Sequence, residues 1–195
     1  MDRDSERRLV EQATAGDPPS VAALLNHYLP RVRAYLRLRA GPALLDKESA
    51  SDLAQSVCRD VLENLERFRY DGEDGFRRWL FKTAQRKVLD RHAYYGAKKR
   101  DLPQAAATDL DATLACYGEL YTPSRDAIAR EELARLEQAI ESLPDEVREV
   151  VILAKVVGLS RKAIAQETGK SEGAIRMALH RGLARLADKL ARESG

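Results

Sequence analysis

The sequence predicts an all-α protein built as two small helical domains joined by a linker. Three observations carry that expectation. Apolar residues recur at spacings of three and four, with no stretch of strict alternation. Helix-starting Ser and helix-ending Gly or Pro punctuate the chain at intervals suited to helices. Between them, residues 101–123 lack any Lys or Arg and are rich in Ala.

The elements follow in order. Residues 3–15 form a short amphipathic helix stopped by Gly16 and Pro18-Pro19, after which Ser20 is placed to cap a second helix running to about Ala40. Gly41-Pro42 ends that helix. A third begins near Ser49, and Ala54, Val57, Cys58, Val61, Leu62 and Leu65 line its expected core face. Ser49, Asp52, Ser56, Arg59 and Glu63 collect on the opposite face, which is polar and free to meet a partner.

A turn over residues 70–75 leads into a fourth helix in which Phe76, Trp79, Leu80, Ala84 and Val88 turn inward. Residues 125–142 form the next helix, and Pro144 starts another that Gly158 closes. Ser160 and Ser171 are placed to cap the last two helices, with a tight turn at Gly169-Lys170 between them. The expected boundaries are therefore a domain over 1–100, a linker over 101–124 and a domain over 125–195. The 23 residues of 101–123 can reach about 80 Å when extended, enough for two domains to touch separated sites on one large target.

Composition bounds the function. With 44% apolar and 33% charged residues the chain has the make-up of a folded protein rather than a disordered one. No apolar run approaches the roughly 20 residues that span a bilayer, and the N-terminal stretch has no secretory pattern, so the expected place is the cytoplasm, away from membranes. Cys58 and Cys116 lie far apart without metal-ligand spacing and read as ordinary thiols. The three histidines, His27, His92 and His180, are scattered. Asp90 and His92 are too close on a helix to share a face, and no Gly-rich phosphate loop occurs. Neither an enzyme, a cofactor nor a metal is expected.

The net charge of +2 hides segregation: residues 77–100 hold nine Arg or Lys (Arg77, Arg78, Lys82, Arg86, Lys87, Arg91, Lys98, Lys99, Arg100) against one acid, Asp90. Such a block is either a phosphate-binding surface or a solvated helix face. Phe68, Tyr70, Tyr94 and Tyr95 stand near it as packing residues or as platforms on which an unpaired base can stack.

Residues 161–180 meet the demands of a helix-turn-helix. Ala165 is small where the two helices should cross, Gly169 permits a positive φ in the turn, and Ile164 and Ile175 seal the angle. Leu179, Leu183 and Leu186 continue the buried stripe, leaving Arg176, Met177, His180 and Arg181 outward for a major groove. The capped start near Ser171 can receive a phosphate on its backbone amides. An αα-hairpin that only packs is the alternative.

Two segments carry a family resemblance: DLAQSVCRDVLENLERF with FRRWLFKTAQRKVLD, and SLPDEVREVVILAKVVGLSRKAIAQETGKSEGAIRMALHRGLARL. In this order, around a variable linker, they resemble the extracytoplasmic-function (ECF) group of the sigma-70 family. The resemblance implies a sigma factor that takes core RNA polymerase, through its beta-prime and beta subunits, to promoter DNA. It implies polymerase docking by Ser49, Asp52, Gln55, Ser56 and Arg59. It implies -10 contacts by Tyr70, Arg77, Arg78, Trp79, Lys82, Arg86 and Lys87, and -35 contacts by Ser171, Arg176, Met177, His180 and Arg181.

The chain departs from the family's pattern in three places. Ser49, Ser51 and Ser56 stand where acids are usual, which suggests charge restored by a Ser/Thr protein kinase; an anti-sigma factor is the other expected controller. Arg86 replaces a usual Asn. Met177 and Ala178 replace a small polar and a basic residue. Two other readings stay open: a stand-alone helix-turn-helix regulator, and a sigma-mimicking helical adaptor that binds only proteins.

Overall fold

A computed structural model describes residues 3–69, 74–97 and 127–193, all of whose regular elements are helical. The chain divides into two units, Met1–Thr108 and Asp109–Gly195. The linker expected over 101–124 lies outside the described residues.

In the first unit, α1 (Arg3–Thr14) stops at Gly16, whose φ is +87°. The second helix, α2 (Pro18–Leu45), is capped by Asp17 and not by Ser20: the Ser20 amide donates to Asp17 Oδ2 at 2.9 Å. Pro18 and Pro19 thus occupy the first helical positions, where a missing N–H costs nothing. Gly41 breaks the helical path with φ 71° and ψ 162°, and one more turn reaches Leu45. Helix α3 (Ala50–Asn64) runs into a 3-10 turn, Leu65–Arg67, and α4 spans Gly75–Ala97.

The core of this unit joins Leu24, Val32 and Leu36 of α2 to Leu53, Ala54 and Val57 of α3 and to Phe76, Leu80 and Ala84 of α4, all essentially inaccessible. Phe68 sits with its ring centroid 5.6 Å from Phe76 and 5.1 Å from Trp79, an aromatic wedge below the turn into α4. Leu62, expected in the core, is 46% exposed. At 100° per residue it stands about 125° from the mean direction of Leu53, Ala54, Val57 and Val61, well outside the stripe they form.

In the second unit, α5 (Ala127–Glu141) precedes α6 (Asp145–Val151), which widens into a π-helical stretch, Ile152–Val157, and ends at Gly158 with φ +80°. Helix α7 (Arg161–Thr168) is capped by Ser160, whose Oγ accepts from the Ala163 amide at 3.2 Å, and Gly169 follows at φ +70°. Helix α8 spans Glu172–Glu193. Leu136, Ile140, Val156, Ile164 and Ile175 form its centre. Ala163 and Ile164 are the buried positions of α7, while Ala165, expected at the crossing, is half-buried.

Candidate nucleic-acid interface

Three surfaces collect the residues singled out in the sequence. On α3, Asp52, Gln55 and Arg59 are exposed and Ser51 and Ser56 half-buried. Leu62 extends this stripe, because residues three and four apart share a helix face. Ser49 does not belong to it. Its side chain is the N-cap of α3: Oγ accepts the Asp52 amide at 3.0 Å and donates to Asp52 Oδ2 at 2.6 Å, and the residue is 6% exposed. Ser49, expected to meet a partner or to accept phosphate from a kinase, thus has its hydroxyl engaged at the helix start. Cys58 lies on the same helix, and burial pushes its thiol pKa up.

The second surface is a cleft of about 560 Å³ between the C-terminal part of α3, the 3-10 turn and α4. Trp79 and Phe68 form its apolar wall, and Arg78, Lys82 and Arg86 stand along α4. Six cations line it against three carboxylates. Lys82 and Arg86 are exposed, whereas Lys87 is tied to Asp60, Nζ to Oδ2 2.7 Å, and Arg91 to Glu48 at 3.0 Å. These two pairs fasten α4 to the α2–α3 side of the unit, so much of the basic block is structural.

Arg77 is the clearest departure. Its guanidinium turns away from the cleft and pairs with the buried carboxylate of Glu6 and with Asp74. The sequence block also missed Arg67 and Arg69, which flank Phe68 and reach the cleft from the 3-10 turn. The cations on either side of one buried aromatic, R-F-R, were the available signal. Tyr70 lies outside the described residues.

The third surface is the start of α8. Ser171 Oγ accepts the Ala174 amide at 3.2 Å and so caps the helix. Arg176, His180 and Arg181 are exposed and Met177 is 51% exposed, forming two adjoining rows at i and i+4. Their platform is firm: Ile164 and Ile175 are inaccessible, and Lys170 Nζ bonds Glu146 Oε2 at 2.7 Å, tying the turn to α6. That hydrogen bond, with the lysine's charge, holds the Glu146 pKa below its ordinary value. Gly182 completes the platform and was not singled out in the sequence. A Cβ there would stand 2.6 Å from Val151 Cγ2, so α8 approaches α6 along a glycine. A lone Gly inside a helical pattern was the legible clue.

Each of the last two surfaces combines exposed cations with a rigid helical mount, which suits phosphate contact and base-edge reading. Among the described residues, no helix is long and apolar enough to cross a membrane.

Comparison with known proteins agrees with this layout. The family profile for sigma-70 region 2 matches residues 24–97, and that for sigma-70 region 4 matches residues 133–186. The chain is 36% identical over 182 residues to the ECF RNA polymerase sigma factor SigD of Mycobacterium tuberculosis, covering 93% of this chain and 82% of that one. It is 32% identical over 186 residues to the ECF RNA polymerase sigma factor ShbA of Streptomyces griseus, covering 91% of each. The solved structure of CnrH in complex with the cytosolic domain of CnrY shares the fold, with a TM-score of 0.59 at 23% identity over 97% of this chain and 99% of that one. With the region 2 match on the α3–α4 unit and the region 4 match on the helix-turn-helix unit, the chain belongs to the ECF group of sigma-70 RNA polymerase sigma factors.

Proposed function

We propose a division of labour among the three surfaces. The α3 stripe of Asp52, Gln55, Ser56 and Arg59 docks on core RNA polymerase, against its beta-prime and beta subunits. The cleft lined by Arg78, Trp79, Lys82 and Arg86 takes the -10 element during strand opening. The start of α8, with Ser171, Arg176, Met177, His180 and Arg181, reads the -35 element.

The observation that carries this reading is the excess of cations over carboxylates in a cleft walled by Trp79 and Phe68. Phosphate attraction and a ring on which a base can stack occur there together, as holding a single strand requires. Arg77 and Ser49 are left out because their side chains are committed inside the unit. Met177 and Ala178 make the promoter sequence this chain's own, since each base contact is worth about 1–3 kcal/mol.

Control belongs to an anti-sigma factor in this reading. The support is that CnrH, of the same fold, was solved with the cytosolic domain of CnrY. Kinase control narrows to Ser51 and Ser56.

Footprinting on promoter DNA with and without core polymerase tests the division. Protection of both elements is expected only with core polymerase present. Arg176→Ala and Arg181→Ala should weaken -35 protection and lower the salt slope of binding by about one per lost phosphate contact. Full protection by the chain alone would instead make it a stand-alone regulator.

A further inference from the structure

Helix α1 is strongly polar, yet one of its charges is hidden. Among the described residues the buried polar side chains are Glu6, Ser20, Ser49 and Asp74. The two serines serve locally: Ser49 caps α3, and the Ser20 hydroxyl donates to Gln12 Oε1 at 3.1 Å. Glu6 and Asp74 both converge on Arg77.

The geometry is directional. Glu6 Oε1 accepts the Tyr28 hydroxyl at 2.6 Å and Arg77 Nε at 3.1 Å, while Arg77 Nη2 meets Glu6 Oε2. Arg77 Nε lies 3.2 Å from the Tyr28 oxygen, and Nη1 lies 3.6 Å from Asp74 Oδ1. A guanidinium gripped on two nitrogens by one carboxylate is fixed in orientation as well as place. Apolar packing would hold α1 equally well but would not set the rotation of α4.

The pinned residue is in the first turn of α4, one position before Arg78 and two before Trp79, both of which line the basic cleft. The grip also reaches Asp74, at the edge of the 70–73 segment. Further along α1, Val10 and Phe68 share a second groove, so α1 also backs the aromatic wall from behind.

We infer that Glu6 is a positioning residue for promoter opening, acting through Arg77 and Asp74 to hold the lip of the cleft where it parts the strands. The inference rests on the function proposed above. Removing the charge from the centre of the network loosens the first turn of α4 and leaves the α3 docking stripe untouched.

The test uses holoenzyme reconstituted from the full chain and core polymerase, with open complexes read by permanganate reactivity of thymines. Each promoter is supplied as intact duplex and as duplex with a premelted -10 bubble. Glu6→Gln should slow opening of the intact duplex about tenfold, a small part of what breaking a buried charge pair costs, since only the share felt at the first turn of α4 reaches the cleft. Binding to core polymerase should stay within about twofold and the premelted template within about threefold, because no strands have to be parted there. Tyr28→Phe keeps the charge pair and should show a smaller loss with the same bias. Equal losses on both templates, or no loss on either, overturn the positioning role. A wild-type holoenzyme inactive on both templates would instead refute the function it rests on.

Discussion

Replacing Gly182 by Ala sets two opposed effects against each other. In an isolated helix the change is favourable by about 1 kcal/mol. In this fold the new methyl would lie 2.6 Å from Val151 Cγ2 and 2.9 Å from Val147 Cγ1. Carbon atoms rest at about 3.5–4.0 Å, so both contacts are short by roughly an ångström. Valine in a helix has essentially one rotamer, and Val151 is fully buried, so relief has to come from moving α8 away from α6. Overpacking of this kind costs about 1–3 kcal/mol, which leaves a net loss of about 0–2 kcal/mol. For a unit of this size 1 kcal/mol corresponds to a fall in midpoint of about 4–8 °C.

The assay is thermal unfolding followed by far-ultraviolet circular dichroism. The single tryptophan, Trp79, is in the first unit, so its fluorescence transition serves as an internal control. Adding Val151→Ala makes room for the methyl, and the pair should show a coupling of about 1–2 kcal/mol. A Gly182→Ala protein stabilised by about 1 kcal/mol, as helix propensity alone demands, with no coupling to Val151, would refute the close-approach argument.

Two further outcomes follow from local geometry. Ser49→Ala should cost about 0.5–2 kcal/mol of the first unit's stability through loss of the cap, and Ser49→Glu should be no better; an Ala variant as stable as wild type in urea would count against the cap. His27 packs edge-on to Tyr28 at 4.9 Å, and burial, reinforced by the charge of Arg31, lowers its pKa below 6.5. The unfolded chain therefore binds more protons between the lowered folded value and 6.5. The contribution is whole above that unfolded value and is lost as pH falls through the window. Between about pH 7.5 and about pH 5.5 the wild-type midpoint should drop further than that of His27→Gln, and parallel curves would dismiss the effect.

What the residues declared on their own was local. Ser160 and Ser171 cap their helices as read, α3 begins at Ser49 as read although the capping role of that side chain was not, and Gly16, Gly158 and Gly169 take the positive φ that ends a helix or makes a turn. These features are decided within three or four residues, and so is the outward placing of Arg176, Met177, His180 and Arg181 once Ile175 turns inward. Asp17 rather than Ser20 starts α2 because Pro is welcome in a first turn, a local rule applied one step too late.

The cleft's true charge was not local. Arg77 meets Glu6 across 71 residues, and Lys87 meets Asp60 on another helix. A run of cations looks uniform in sequence because any of them can face solvent. Which ones turn inward depends on where distant carboxylates are buried, and a buried charge must find its counter-charge. Gly182 teaches the same lesson for packing, whereas the place of Leu62 off the core stripe follows from helical spacing alone. Periodicity says which residues share a stripe, but only the neighbouring helix, by its distance and angle, decides how wide that stripe is and where a methyl group no longer fits.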